Sequence, residues 1–249
     1  RFSAVSELEN VSDAEVEAAG ERFLKAMEKS EGDFMMIPPA QAFIARTYAK
    51  RNIATGRIPS LVLKGLDEIA AYDKRSGRSD FYPREEGASD GNLKYVRWMS
   101  WPILAEAYAK LKQPEKAREV LAQMSEALKK EKPGEKAQPR MKASYANNQV
   151  TYWQTTAKVA EAESRKLDAM TSYHTALSFR PKSATPKPDK KDELADNAQR
   201  LWKELGGTDE GWKAYLARNE AAKGAIEVAE AAPWDSKNQA LPDFALADM

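Results

Sequence analysis

The sequence predicts an all-α protein, and two observations carry that prediction. Apolar residues recur at the spacing of a helix along most of the chain, for example at Val16, Phe23, Leu24 and Met27, which places them on one helical stripe. A pattern of large and small residues also occurs twice at the same internal spacing. Apolar residues form 42% of the 249 positions, which is enough for a substantial core.

The first three helices follow from local signals. Ser12 and Glu15 form a capping box, which predicts a helix from about 13 to 30. Pro38 and Pro39 suit the first turn of a second helix. A third helix is expected from about 59 to 73, because five apolar residues recur there with helical period: Leu61, Val62, Leu66, Ile69 and Tyr72.

The strongest internal signal is a repeated pattern. In each copy a tryptophan precedes an alanine by 16 residues, Trp101 before Ala117 and Trp153 before Ala169. The remaining positions are Leu104, Ala105, Tyr108 and Leu121 in one copy and Ala157, Ala160, Tyr173, Ala176 and Pro181 in the other. This pattern resembles the tetratricopeptide repeat, a 34-residue helix-turn-helix unit. The resemblance implies antiparallel helix pairs stacked as a short α-solenoid, in which alanines allow close approach and aromatic side chains fill the grooves.

The repeat is irregular. Residues 40 to 73 form a weaker third copy that shares Ile44, Ala45 and Tyr48. The two better copies are 52 residues apart, and we place the excess over one repeat in a loop at about 132–148, which contains Pro133, Gly134 and Pro139. A second loop is expected at about 74–92, where glycines and charges show no period. An irregular bundle in which the two tryptophans are ordinary core residues remains the alternative.

Proline-bearing residues 181–190 are expected to form a linker. A helix is predicted at about 189 to 205, ended by Gly206 in a left-handed conformation. Thr208 then caps the next helix. We predict one helical domain over residues 1–220, followed by a connector at 221–249.

Two segments resemble proteins of the exported TlpA/ResA-like family. Residues 201–212 are similar to the segment that precedes the redox domain in family members with helical N-terminal regions. The run Leu241, Pro242, Asp243, Phe244, Ala245, Leu246, Ala247, Asp248 and Met249 resembles the beginning of their thioredoxin fold. The resemblance implies that the chain is the helical N-terminal part of such a protein, truncated as the redox domain begins. It also implies a periplasmic or otherwise exported location and thiol-disulfide or peroxide chemistry in that domain.

Composition limits the function classes. The 39 basic and 38 acidic residues nearly cancel, which argues against nucleic-acid binding, and no apolar run is long enough to cross a membrane. Cysteine is absent, so thiol catalysis and disulfides are excluded within this chain. The chain starts at Arg1, and a cleaved export signal, an expression tag or a disordered segment would each explain that start.

Catalytic, cofactor and metal sites are not expected. His174 is the single histidine, and one imidazole without cysteines does not make a structural zinc site. The pairs Glu85 with Glu86 and Glu161 with Glu163 are typical of solvated surfaces. Serines occur at Ser100, Ser172 and Ser178, but no Gly-x-Ser-x-Gly motif surrounds them.

Repeat solenoids present a concave groove to partners. The corresponding candidates for contact with a protein or peptide are Met99, Glu106, Gln154 and Lys158. The leading hypothesis is a noncatalytic interaction or scaffold module, with a thioredoxin-like domain in cis. The alternative is a stand-alone tetratricopeptide-like adaptor. A third hypothesis is a helical enzyme that uses Asp80, Arg84 or Glu85 in the loop at 74–92.

Overall fold

A computed structural model of the chain describes residues 11–28, 37–76, 91–180 and 192–221. These residues form nine α-helices and no strand, so the all-α prediction is confirmed for the described part of the chain. The helices are α1 (Asp13–Glu28), α2 (Ile37–Arg51), α3 (Ile58–Ser76), α4 (Gly91–Lys110), α5 (Pro114–Lys130), α6 (Pro139–Ala162), α7 (Lys166–Phe179), α8 (Glu193–Glu204) and α9 (Asp209–Ala221). A 3-10 turn, Thr55–Arg57, precedes α3. The chain divides into two compact units, residues 1–124 and 125–249, and each is described by itself.

The first unit is built on α2, α3 and α4. Helix α2 packs against α3, α3 packs against α4, and α2 also contacts α4, while α1 lies against α2. Six side chains that are almost fully buried belong to this core: Val16, Ile44, Tyr48, Ile58, Val62 and Ile69. Burying apolar side chains of this size stabilises the fold by about 1.5–3 kcal/mol each. Buried side chains of α1, α2 and α3 therefore form this core.

The capping box at the start of α1 is confirmed. The Ser12 backbone N–H donates to the Glu15 carboxylate at 2.9 Å, and the Glu15 N–H donates to Ser12 Oγ at 3.4 Å. The hydrogen bonds from Ser12 hold the pKa of Glu15 below its usual value. On the side of α1, the Tyr48 hydroxyl of α2 donates to the Glu17 carbonyl at 3.3 Å. The capping box therefore fixes the start of α1, and the Tyr48 bond joins its side to α2.

The second unit packs its helices in chain order, α6 against α7, α7 against α8 and α8 against α9. Alanines dominate the contact surface: Ala157, Ala160, Ala169, Ala176 and Ala198 have no exposed surface. Because a methyl group occupies little space, the helix backbones approach closely there. Larger residues, among them Tyr173, Leu201 and Trp212, fill the spaces beside the alanines.

Four turns between consecutive helices share one backbone geometry. Each contains a residue in the left-handed region: Asn52 (φ 57°), Lys112 (φ 58°), Ser164 (φ 63°) and Gly206 (φ 93°). In every turn this residue donates its N–H to the carbonyl three positions back. The following residue donates to the carbonyl five positions back, with N···O distances of 2.9–3.2 Å. These are the two hydrogen bonds of a Schellman motif. The turns therefore join four helix pairs, α2–α3, α4–α5, α6–α7 and α8–α9, in the same manner.

Glycine at two of these turns is expected to stabilise the protein. A left-handed backbone costs an ordinary L-residue about 1–2 kcal/mol, which glycine avoids. Part of this gain is offset, because glycine also raises the conformational entropy of the unfolded chain. We expect Lys112→Gly and Ser164→Gly each to raise the free energy of unfolding by about 0.5–1 kcal/mol. Urea denaturation at pH 7 measures this change. Gly206→Ala is the reverse control and should lower the free energy of unfolding, since a Cβ there meets no atom within 4 Å and only the backbone resists it.

The predicted loop at 132–148 is wrong over its second half. Helix α6 begins at Pro139, so the proline read as a loop residue occupies the first helical position, where its missing N–H costs nothing. The predicted loop at 74–92 is bounded by Ser76 and Gly91, which end α3 and begin α4. Its interior and the linker at 181–190 lie outside the described residues. The same holds for the connector predicted at 221–249, except for Ala221, which ends α9.

The C-terminal hairpin follows its sequence signals closely. Gly206 is left-handed, as predicted, and Thr208 Oγ1 accepts a hydrogen bond from the Gly211 N–H at 3.0 Å. Between them, the indole of Trp202 lies against Gly207 and donates its Nε1–H to the Thr208 carbonyl at 2.8 Å. A tryptophan of α8 therefore closes over the turn to α9.

Candidate partner-binding surface

The four predicted contact residues lie on the first helices of two helix pairs. Met99 and Glu106 are on α4 in the first unit, and Gln154 and Lys158 are on α6 in the second unit. All four are partly buried. Each pair therefore lies at the border between core and solvent.

Helix α4 reaches solvent along a stripe on one side. Its residues Tyr95, Trp98, Met99, Pro102 and Glu106 are exposed or half-buried and follow each other at steps of one to four residues. Tyr95 is the most exposed of them at 48%. Most of the remaining circumference is buried: Val96, Ser100, Trp101, Ile103, Leu104, Ala105, Ala107, Tyr108 and Ala109. We call these five residues the α4 stripe. It is mainly aromatic and apolar, with one carboxylate at Glu106, and the basic residues Lys94, Arg97 and Lys110 of the same helix are also exposed or half-buried.

The corresponding stripe of α6 is polar. Thr151, Gln154, Lys158 and Glu161 recur at steps of three and four and are half-buried. Glu161 is engaged, because its carboxylate accepts a hydrogen bond from Arg200 at 2.6 Å. We call these four residues the α6 stripe. Its chemistry suits hydrogen bonding, whereas that of the α4 stripe suits contact with apolar or aromatic groups.

The repeated tryptophans have related but unequal surroundings. Trp101 is 6% exposed and meets Trp98 edge-on, with ring centroids 5.7 Å apart. Trp153 is only partly buried and meets Tyr152 edge-on at 5.1 Å. The Arg97 guanidinium lies 5.8 Å from the Trp101 ring, and residue 149 at the matching position of α6 is a glutamine. Both indoles pack against a neighbouring aromatic of their own helix, but the second is closer to solvent.

His174 lies in an aromatic cluster of the second unit. It is 9% exposed, and its ring centroid lies 4.6 Å from that of Tyr215. Tyr215 also stacks on Trp202 and Trp212 at 5.3 and 5.6 Å, and burial raises the pKa of Tyr215 to about 12. A phenol with this pKa stays neutral at physiological pH. The cluster therefore acts as packing between α7, α8 and α9.

Charged residues on α8 form a paired surface. Arg200 contacts Glu161 at 2.6 Å and Glu204 at 2.8 Å, and Lys166 contacts the second oxygen of Glu204 at 2.9 Å. These bonds, first that of Lys166 and then that of Arg200, hold the pKa of Glu204 below its usual value. The surface depression beside them, lined by Asp196, Gln199, Arg200, Lys203 and Glu204, is shallow and open. Because its charges are matched, this surface ties α6, α7 and α8 together.

An ion pair joins the end of α7 to the start of α8. Arg180 donates to Asp192 Oδ1 at 2.8 Å, and the same oxygen accepts the Ala195 N–H at 3.3 Å, which makes Asp192 the N-cap of α8. Burial alone raises the pKa of Asp192, but the bonds from Arg180 and from the backbone of Ala195 outweigh burial and lower it. The ionised carboxylate is therefore the form that the fold favours.

Asp192→Asn is expected to remove a pH-dependent part of the stability. Asparagine caps a helix as well as aspartate does, so the substitution removes mainly the charge. At pH 7 we expect a loss of about 1 kcal/mol in the free energy of unfolding, because the pair is mostly shielded from solvent. The pKa of Asp192 is lower in the folded chain than in the unfolded chain, where it is near 3.8. The ionised carboxylate therefore stabilises the fold at pH values above 3.8, and this contribution is lost as the pH falls through the lower pKa of the folded chain.

Urea unfolding of both proteins from pH 7 to pH 2.5 measures this effect. The two stability curves should converge at the acidic end. A difference that persists unchanged below pH 3 would contradict the role given to the charge. Lys129→Gln serves as the control, because its pair with Glu126 is exposed on both sides.

Sequence reasoning missed a group of buried polar residues on the inner side of α6. Gln149, Thr155 and Thr156 are each at most 2% exposed. Thr155 Oγ1 donates to the Thr151 carbonyl at 2.7 Å, and Thr156 Oγ1 donates to the Tyr152 carbonyl at 3.0 Å. Threonines that bond one turn back are tolerated inside helices. The sequence carried no sign of them beyond the low apolar content of this stretch.

Two other kinds of site are absent from the described ranges. Among these residues, no three histidine or acidic side chains are grouped closely enough to hold a metal ion, and no helix is long and apolar enough to cross a membrane. Comparisons with family models, curated proteins and solved structures found no match.

Proposed function

We propose that this chain is a noncatalytic interaction module, built as a short, irregular, tetratricopeptide-like α-solenoid. The observation that carries the proposal is the shared turn geometry at Asn52, Lys112, Ser164 and Gly206. Four helix pairs joined by one kind of turn are what a repeat of helix pairs requires. Alanines without exposed surface at the matching positions Ala117 and Ala169 support the same interpretation.

The packing order inside each unit supports it further. In a helical solenoid, the second helix of one pair packs against the first helix of the next. Helix α3 packs on α4 in the first unit, as α7 packs on α8 in the second. First helices also meet directly, since α2 contacts α4 and Arg200 of α8 bonds to Glu161 of α6. These contacts leave one stripe of each first helix toward solvent.

The α4 stripe of the first unit and the α6 stripe of the second unit are two separate surfaces that we propose for a protein or peptide partner. Tyr95, Trp98 and Met99 offer aromatic and apolar contact area, which is the usual source of affinity in interfaces. We therefore expect an extended or helical segment with at least one large apolar side chain as the ligand of the α4 stripe. On the second unit, Gln154 and Lys158 offer hydrogen bonds to a partner of the α6 stripe.

The intact protein that we propose is an exported TlpA/ResA-like oxidoreductase or peroxiredoxin-like protein, with its thioredoxin-like domain in cis. The proposal rests on the resemblance of residues 201–212 and 241–249. A stand-alone adaptor is the second candidate. The coding sequence decides between them: a Cys-x-x-Cys or peroxidatic cysteine within about one domain length after residue 249 supports the first. A stop codon there supports the second.

Binding tests the interaction role directly. Peptides selected on the purified chain from a random display library should bind with micromolar or tighter dissociation constants. The double substitution Gln154→Ala and Lys158→Glu should weaken that binding at least tenfold, which corresponds to about 1.4 kcal/mol. Isothermal titration calorimetry measures both values. The matched control carries Thr171→Ala with Lys130→Glu on the exposed sides of α7 and α5 and should bind as the unchanged chain does. Equal losses in both variants would contradict the assigned surface.

A further inference from the structure

Two polar atoms on the inner side of α6 lack a hydrogen-bond partner among the described residues. They are Oε1 of Gln149 and Nε1 of Trp153, and both are shielded from solvent. Gln149 as a whole is 2% exposed. Its amide Nε2 is engaged, since it donates to the Tyr145 hydroxyl at 3.0 Å. The orphaned pair is thus one amide oxygen and one indole nitrogen.

These atoms are complementary in type, and their residues lie four positions apart on one helix. An amide oxygen only accepts hydrogen bonds, and an indole N–H only donates them. Residues four apart in a helix are neighbours on one face, so both groups extend from the same side of α6. They do not bond to each other. A group placed between them that both donates and accepts would satisfy the two atoms at once.

Water is the molecule that fits this position. Leaving both groups unpaired costs more free energy than immobilising one water, and buried waters typically serve two to four otherwise unsatisfied polar groups. The Tyr145 hydroxyl lies beside the same amide and supplies a third polar atom. Neither orphaned atom reaches solvent, so a peptide or a larger ligand has no path to them in this conformation.

We propose that Gln149 and Trp153 hold one internal water molecule, which donates to Gln149 Oε1 and accepts from Trp153 Nε1–H. The water links two consecutive turns of α6 through their side chains and fixes the orientation of the Trp153 ring. Gln154 follows that ring directly in the chain. The hydration site does not depend on the proposed function, because it rests only on the buried groups of the second unit.

Proton NMR of the intact chain tests this site without any substitution. A long-lived water gives NOE and ROE cross-peaks of opposite sign with a nearby proton, and we expect them for the indole Hε1 of Trp153. Trp153→Phe assigns the signal by removing it. The indole of Trp202 is the internal control: it donates directly to the Thr208 carbonyl at 2.8 Å and should show no such water contact.

Two variants separate the site from general effects on packing. Gln149→Met keeps the volume but removes the acceptor, and the Trp153 water cross-peak should disappear. Thr156→Val removes a buried hydroxyl that is already satisfied by the Tyr152 carbonyl, and the cross-peak should remain. If Gln149→Met does not fold, the spectrum of the unchanged chain still decides. A Trp153 Hε1 without a water contact, close instead to the Gln149 side chain, would show a direct hydrogen bond and overturn the proposal.

Discussion

Replacing Gly207 with alanine is expected to destabilise the protein by about 3 kcal/mol. A Cβ at this position would lie 2.1 Å from Trp202 Nε1 and 2.2 Å from Cε2 of the same ring, far inside contact distance. The ring would have to move, losing its hydrogen bond to the Thr208 carbonyl and its stacking on Tyr215 at 5.3 Å. Overpacking typically costs 1–3 kcal/mol, and the lost hydrogen bond adds about 1 kcal/mol.

Urea denaturation followed by tryptophan fluorescence measures this loss. The neighbouring Gly206→Ala variant is the matched control, because it changes the same kind of residue in the same turn with no atom within 4 Å. Its cost should be about 1 kcal/mol, from the left-handed backbone alone. If the two alanine variants are equally stable, Trp202 does not lie against the turn as described.

The second large effect is expected at the alanines between helices. Ala169 has no exposed surface and lies in one cluster with Ala157 and Ala160 of the facing helix. Leucine there adds three carbon atoms where two backbones meet, and we expect Ala169→Leu to lower the free energy of unfolding by about 3 kcal/mol, the upper end for overpacked cores. The repeat predicts a similar loss for Ala117→Leu, since Ala117 is also fully buried.

Ala143→Leu controls for the substitution itself, because Ala143 is exposed on α6 and should change stability by less than about 0.5 kcal/mol. Urea titrations of all three variants give the comparison. A large loss at Ala117 with none at Ala169, or the reverse, would mean that the two helix pairs are not packed in the same manner. The tetratricopeptide-like interpretation would then fail.

Local chemistry made much of this fold predictable. The capping box at Ser12, the left-handed Gly206 and the cap at Thr208 act over three or four residues, and each holds in the structure. The start of α6 at Pro139 is not predictable in this way, because proline is common both in loops and at the first position of a helix, and only the packing of α6 on α7 decides which applies. The inward positions Ala157 and Ala160 of the same helix are buried as predicted.

The turns at Lys112 and Ser164 were not predictable from residue type. Neither residue favours a left-handed backbone, and tertiary packing of the joined helices imposes it. Gln149 was missed for a related reason, since glutamine at helical spacing is expected on a surface. The candidate residues Met99, Glu106, Gln154 and Lys158 follow from the repeat spacing alone, and their contact with a partner remains a prediction.

The four left-handed residues are unevenly spaced: 60 residues separate Asn52 from Lys112, 52 separate Lys112 from Ser164, and 42 separate Ser164 from Gly206. Helix lengths differ accordingly, from 24 residues in α6 to 12 in α8. Consequently the four helix pairs are not interchangeable. Chimeras that duplicate, delete or swap one hairpin would bring helices of mismatched length together, so engineering of this scaffold should graft side chains and keep the order of its parts.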